Sequence, residues 1–214
     1  MKRFWSILLV GCLAFFLFAG CGQTQKPSVS KDGDQDGKLS VYASFYPMYD
    51  FASKIGGDHA NVVNMVPAGT EPHDWEPTAA DISGLEEADV FVYNGAGMEH
   101  WAEDVLESLQ NKNLLAVEAS KGVSLMEGHH HEDEEEHEEE GEDHEEEGGF
   151  DPHVWLSPLN ARKEMENIKN AFVKADPDNK DDYEANYSKY AGEIDKLDKE
   201  FKDTLSALPK KDII

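Results

Sequence analysis

Leu39-Ser40-Val41-Tyr42-Ala43-Ser44-Phe45 and Asn61-Val62-Val63-Asn64-Met65-Val66 decide the fold. Both are short apolar runs of strand length, rich in β-branched and aromatic residues. Between them, Met48 to Ile55 has the spacing of an amphipathic helix and stops at Gly56-Gly57. Pro67 and Gly69 close the second strand. Farther on, Thr78 opens a helix running through Leu85, with Asp81 three positions on as its acidic capping partner. Asp89 to Tyr93 reads as a third strand stopped by Asn94-Gly95, Glu99 to Leu109 as a helix, and Leu114 to Val117 as a fourth strand. Strands alternating with helices predict an α/β fold, a four-stranded parallel sheet flanked by helices. Such sheets bind ligands beyond the carboxyl ends of their strands.

The residues that follow the second strand carry chemistry. Glu71-Pro72-His73-Asp74-Trp75-Glu76-Pro77 presents His73, and Asp151-Pro152-His153-Val154-Trp155-Leu156-Ser157-Pro158 presents His153 in similar dress. The prolines restrict the backbone on either side of each imidazole. Trp75 is placed to shield the first histidine, and Asp74 or Glu76 to orient it. Imidazole suits zinc and neighbouring transition metals, whereas calcium and magnesium take oxygen ligands. His73 and His153 are therefore the expected metal ligands. His59 and His100, the latter on the expected helix from Glu99, have no matching partner loop and read as solvated or packed residues. Gly95-Ala96-Gly97 has too few glycines, and no following lysine, for a phosphate loop.

Between the two loops lies a tract of acid and histidine. From Glu127 to Glu147 it holds fourteen acidic residues, no Lys or Arg, and His129, His130, His131, His137 and His144. This stretch contributes −14 of the formal charge of −26. Charge at this density predicts a loop of little order over 127–149. One reading is a solvated run that keeps the protein soluble. The other is a metal-capture loop, since histidines add ligands that an acidic tail lacks and raise the local cation concentration. A chain so acidic is repelled by nucleic acid and anionic membrane surfaces, and a divalent cation fits it as partner.

The first residues look like an export signal. Lys2 and Arg3 precede an apolar stretch from Phe4 to Phe18, too short to span a membrane, and Leu17-Phe18-Ala19-Gly20-Cys21 resembles a bacterial lipoprotein signal. Residues 1–20 are thus an expected signal peptide, Cys21 the lipidated residue, and 21–38 a flexible tether. The protein is then extracytoplasmic and lipid-anchored to the cell membrane. With Cys12 inside the signal, Cys21 stands alone, so metal ligands must come from His, Asp and Glu.

After Pro158 to Lys174, a helix, the sequence from Asp178 to Leu208 repeats apolar and aromatic residues every three or four positions, among them Tyr183, Tyr187, Ile194 and Phe201. Pro209 ends this long helix, and Asp212-Ile213-Ile214 reads as the start of a strand.

Taken together, the two histidine loops and Asn94-Gly95-Ala96-Gly97-Met98-Glu99 resemble the zinc-binding lipoproteins of metal ABC transporters, the ZnuA/AdcA type of solute-binding protein, from about Leu39 to Ile214. The resemblance implies two α/β lobes joined by one long helix, with metal held in the cleft between them. It assigns 39–176 to an N-terminal metal-binding lobe, 177–209 to the interdomain helix, and 210–214 to the start of a second α/β lobe missing from this sequence. His73 and His153 match the family's first two ligands; the third and fourth come from the second lobe. It also implies an ABC permease as membrane partner and Zn2+ as the metal. Mn2+ receptors share the family, and zinc is favoured by the tract and by imidazole. Other readings are a zinc-buffering or adhesion lipoprotein and a zinc metallohydrolase with Glu76 or Glu99 as base. The last lacks the His-Glu-x-x-His spacing, and no enzyme is expected.

Overall fold

The computed structural model describes residues 37–126 and 150–210. The expected signal peptide with Cys21, nearly all of the tether, the tract with its five histidines, and the strand start at Asp212 lie outside these residues. Four strands, β1 (Leu39–Ala43), β2 (Ala60–Asn64), β3 (Val90–Tyr93) and β4 (Leu115–Glu118), alternate with helices α1 (Tyr46–Gly56), α2 (Ala79–Glu86) and α3 (Ala102–Ser108). Two longer helices follow, α4 (Pro158–Ala175) and α5 (Lys180–Ser206).

All pairings are parallel, and the sheet order is β2-β1-β3-β4. The chain leaves β1 toward one edge to make β2, then crosses back to lay β3 on the other side of β1. That reversal opens a crevice at the carboxyl ends of β1 and β3.

Alternating side chains divide the core in two. Val41, Val90 and Val92 face α1, α4 and α5 in a cluster with Met48, Ile55, Ile168, Phe172 and Tyr183. On the opposite face Phe91 packs with Leu85, Trp101, Val105 and Leu109 from α2, α3 and their flanks. The first half of α5 belongs to this core. Tyr183 is fully buried and its hydroxyl donates to Asp176 Oδ2 at 2.7 Å, while Asn186 Nδ2 donates to the Ile55 carbonyl at 3.0 Å. Beyond Ile194 the helix leaves the core, and Leu197, Phe201 and Leu205 are exposed. Among the described residues no helix is long and apolar enough to cross a membrane.

Most expected elements stand within a residue or two of their positions. The Thr78–Asp81 capping box forms as the sequence predicts. The helix expected from Glu99 instead starts at Ala102, because the Glu99 carboxylate turns back to accept from the backbone N–H groups of Asn94 and Gly95. His100 consequently lies before the helix, exposed. The long helix begins at Lys180, since Pro177–Asn179 forms a separate 3-10 turn. His59 has a partner after all: its Nε2 lies 2.8 Å from Asp182 Oδ2 on α5.

One close approach sets how α2 sits on the sheet. A Cβ at Gly84 would lie 2.2 Å from the Tyr42 hydroxyl oxygen and 2.5 Å from its Cζ. Gly84→Ala is expected to lower stability by about 1–3 kcal/mol through overpacking, seen as a lower urea midpoint with unchanged slope. An unchanged midpoint would mean that α2 is free to slide on β1.

Candidate metal centre

Both histidine loops rise from the carboxyl edge of the sheet, and each becomes a single 3-10 turn, Pro72–Asp74 and Val154–Leu156. Pro72 starts the first turn, and Glu71 Oε1 accepts from the His73 backbone N–H at 3.5 Å. In the second loop, Asp151 Oδ1 accepts from the His153 backbone N–H at 2.9 Å and from its ring Nδ1 at 2.8 Å. These two donations, the backbone one first, hold the Asp151 carboxyl below its usual range. An ionised carboxylate only accepts, so Nδ1 of His153 carries the proton and Nε2 keeps its lone pair.

That lone pair faces the other loop. His73 Nε2 and His153 Nε2 stand 3.4 Å apart, with ring planes inclined by 64°. Two nitrogens bound to one tetrahedral ion at about 2.0–2.1 Å are separated by roughly 3.3–3.4 Å. The spacing therefore fits a shared ion without movement of either loop. Among the described residues no group of three or more His, Cys, Asp or Glu side chains is placed to share one ion. The described residues bring together two of the four donors a tetrahedral ion takes.

Aromatic packing fixes the loops from below. Trp155 lies edge-on to Phe45 at 4.9 Å between centroids and 5.4 Å from the His153 ring. Trp75 packs on Trp101 at 5.4 Å and bridges the two cores, so it anchors the first loop to the fold. Among the described residues neither Asp74 nor Glu76 bonds to the His73 ring; the orienting carboxylate is Asp151, on His153. A cavity of about 460 Å³ lined by Phe45, Tyr46, Met98, His153 and Trp155 opens beside the pair. A larger one of about 580 Å³ sits at the opposite edge of the sheet, lined by Ala88, Asp89, Lys112 and Leu114, far from either histidine loop in the topology.

Residues 41–214 match the family described as zinc-uptake complex component A, periplasmic. This chain belongs to the ZnuA family. It is 46% identical, over its whole length, to the high-affinity zinc uptake system protein ZnuA of Bacillus subtilis and spans 66% of that protein. It is 37% identical to the zinc-binding lipoprotein AdcA of Streptococcus pneumoniae and spans 40% of it. The crystal structure of the Zn(II)-bound ZnuA-like domain of Streptococcus pneumoniae AdcA superposes with a TM-score of 0.69 at 35% identity. The match covers 82% of this chain and 58% of that one. The chain thus spans less than two thirds of the length of these relatives.

Beneath the loops, this member of the family holds two buried carboxylates, Glu99, which the sequence placed on a helix, and Glu164, which sequence reasoning missed. Glu99 is 8% exposed and accepts from Ser44 Oγ at 2.5 Å, Asn94 N at 2.9 Å and Gly95 N at 3.0 Å. Burial raises its pKa, and these donors oppose the rise. Glu164, on α4, is completely buried with neither carboxylate oxygen bonded to another described residue. Burial, with the nearby Glu99 charge, pushes it up to about 8. Glu164 is therefore mostly protonated at pH 7. Its signal was in the sequence: Glu164 sits on the apolar stripe of Ala161, Met165, Ile168 and Phe172.

The folded state binds a proton at Glu164 that the unfolded chain, with its ordinary carboxyl, releases near pH 4.5. The stability from this group is complete below pH 4.5 and is lost as pH rises toward 8, by at most about 1.4 kcal/mol per pH unit. Glu164→Gln is expected to melt near the wild-type temperature at pH 5 and above it at pH 8.5. Parallel melting curves for the two proteins across that range would show that Glu164 does not titrate in this window.

Proposed function

We propose that this chain is the metal-receiving part of an extracytoplasmic solute-binding lipoprotein that captures zinc and delivers it to an ABC permease for uptake. The observation that carries the reading is the 3.4 Å between His73 Nε2 and His153 Nε2 at the sheet's binding edge. Zinc is cargo here. The two imidazoles supply half of its tetrahedron, and the resemblance assigns the other two ligands to a second lobe. That the relatives are named for zinc, and that one was crystallised with Zn(II), supports zinc over manganese. Among the described residues no carboxylate is hydrogen-bonded to either Nε2, which supports a holding role over turnover. We infer lipid anchoring through Cys21 from the signal alone.

Asp151 N donates to the Met126 carbonyl at 3.0 Å, so the described residues on either side of 127–149 meet at the residue that orients His153. Ions gathered by His129, His130, His131, His137 and His144 would be held at high local concentration beside the folded pair. The tract then acts on the rate of loading more than on the final affinity.

Zinc titration against a competing chelator tests this in the full chain with the five tract histidines changed to serine. One zinc per chain should bind, and His73→Ala or His153→Ala should each weaken it by more than about tenfold. Removing a direct ligand costs at least what removing its hydrogen-bonding support does. Unchanged affinity in both variants would remove the histidine pair from the site.

A further inference from the structure

The segment after β3 is built around a carboxylate. Gly95, Ala96 and Gly97 all have positive φ, at 76°, 54° and 83°, and Ala96 is the one non-glycine residue in that region among the described residues. Gly95 is further confined, since a Cβ there would lie 2.5 Å from Glu118 Cγ. This left-handed run curls the chain so that the N–H groups of Asn94 and Gly95 converge on Glu99, an arrangement that elsewhere binds free anions. Here the acceptor is the chain's own carboxyl group. Ser44, at the end of β1, donates to the same carboxylate. Glu99 therefore ties β1 to β3 at the crevice where the chain reverses.

The tie extends to the metal ligands through one side chain. Asn94 Nδ2 donates to the carbonyls of Gly95 at 2.8 Å and Pro152 at 3.0 Å. Pro152 immediately precedes His153. We infer that Glu99 is a positioning residue for the metal site: its buried carboxylate fixes the Asn94–Gly97 loop, and the Asn94 amide then sets where His153 stands relative to His73. The inference rests on the metal reading above. Glu99 touches neither imidazole, and its influence passes through Asn94 and the Pro152 carbonyl.

The test uses the full chain with the tract histidines changed to serine, and zinc as probe. Glu99→Ala removes the acceptor; Glu99→Gln keeps an oxygen for Ser44 and Asn94 N but loses the acceptor at Gly95 N. Asn94→Ala cuts only the side-chain link and leaves the Asn94 N–H on Glu99, so it serves if Glu99→Ala does not fold. Folding is checked by circular dichroism. Glu99→Ala and Asn94→Ala should weaken zinc binding about 10- to 100-fold, and Glu99→Gln less. In a His153→Ala background the same changes should have no further effect on zinc.

A folded Asn94→Ala with wild-type affinity would overturn the inference. So would equal losses with and without His153, which would mark Glu99 as a general stabiliser. His73→Ala and His153→Ala both binding zinc like wild type would instead overturn the metal reading, and this inference with it.

Discussion

The pairing of β1 with β3 governs the rest. β1 is flanked on both sides, and Val41 and Ala43 on it are completely buried. Because the chain lays β2 on one side of β1 and β3 on the other, the carboxyl ends of β1 and β3 open side by side with connections leading away in opposite directions. A parallel sheet of this order has its crevice there and nowhere else. His73 leaves the end of β2, and Asn94 ends β3. Asn94 then reaches the Pro152 carbonyl beside His153. The two histidines lie eighty positions apart in sequence and meet because one loop follows β2 while the other is held by Asn94 at the end of β3.

A polar cluster in the middle of such a fold has to justify its desolvation. An unpartnered charged carboxylate buried among Met165, Ile168 and Phe172 would cost several kcal/mol. Glu164 avoids that by staying neutral, while Glu99 is given three donors. The two acids thus differ in environment, one held by three donors and one without a partner among the described residues. Ala96 adds a further cost, on the order of 1–2 kcal/mol for its left-handed backbone. Strain of this kind survives where surrounding contacts over-determine it, and here Glu99 accepts from Asn94 N and Gly95 N while the Asn94 amide holds the Pro152 carbonyl.

Much of this was legible beforehand, for a physical reason. Strand and helix periodicity is a local property, so β1 to β4 and α4 appear near where the pattern puts them. The Thr78–Asp81 box is local too. Proline on both sides of His73 and His153 announces a fixed backbone, and the resemblance reinforced the pair. What failed depended on tertiary partners. Glu99 has good helix propensity and was read into α3, yet three donors from β1 and the β3 loop pull it out of the helix. Asp151 rather than Asp74 or Glu76 orients an imidazole, because only the second loop folds its acid back onto the ring. Glu164 could have been found as a carboxylate on an apolar stripe; Asn94 could not, since its role requires knowing that Pro152 lies above it.

The exposure of the histidine pair bears on how a captured ion leaves. His73 lies within one three-residue turn and His153 immediately precedes the other, each beside proline and a packed tryptophan. The ordering entropy is therefore met by folding rather than by binding. Under the proposed reading, an ion held by His73 and His153 would take its remaining ligands from water or from groups beyond this pair. Two imidazoles set in such a frame would then give a fixed contribution to affinity. Anything that supplies or withdraws the outer ligands then controls whether the ion is held or released. Under the proposed reading, this division would separate recognition, which stays with the two turns of this lobe, from release, which would fall to the ligands that complete the ion's sphere.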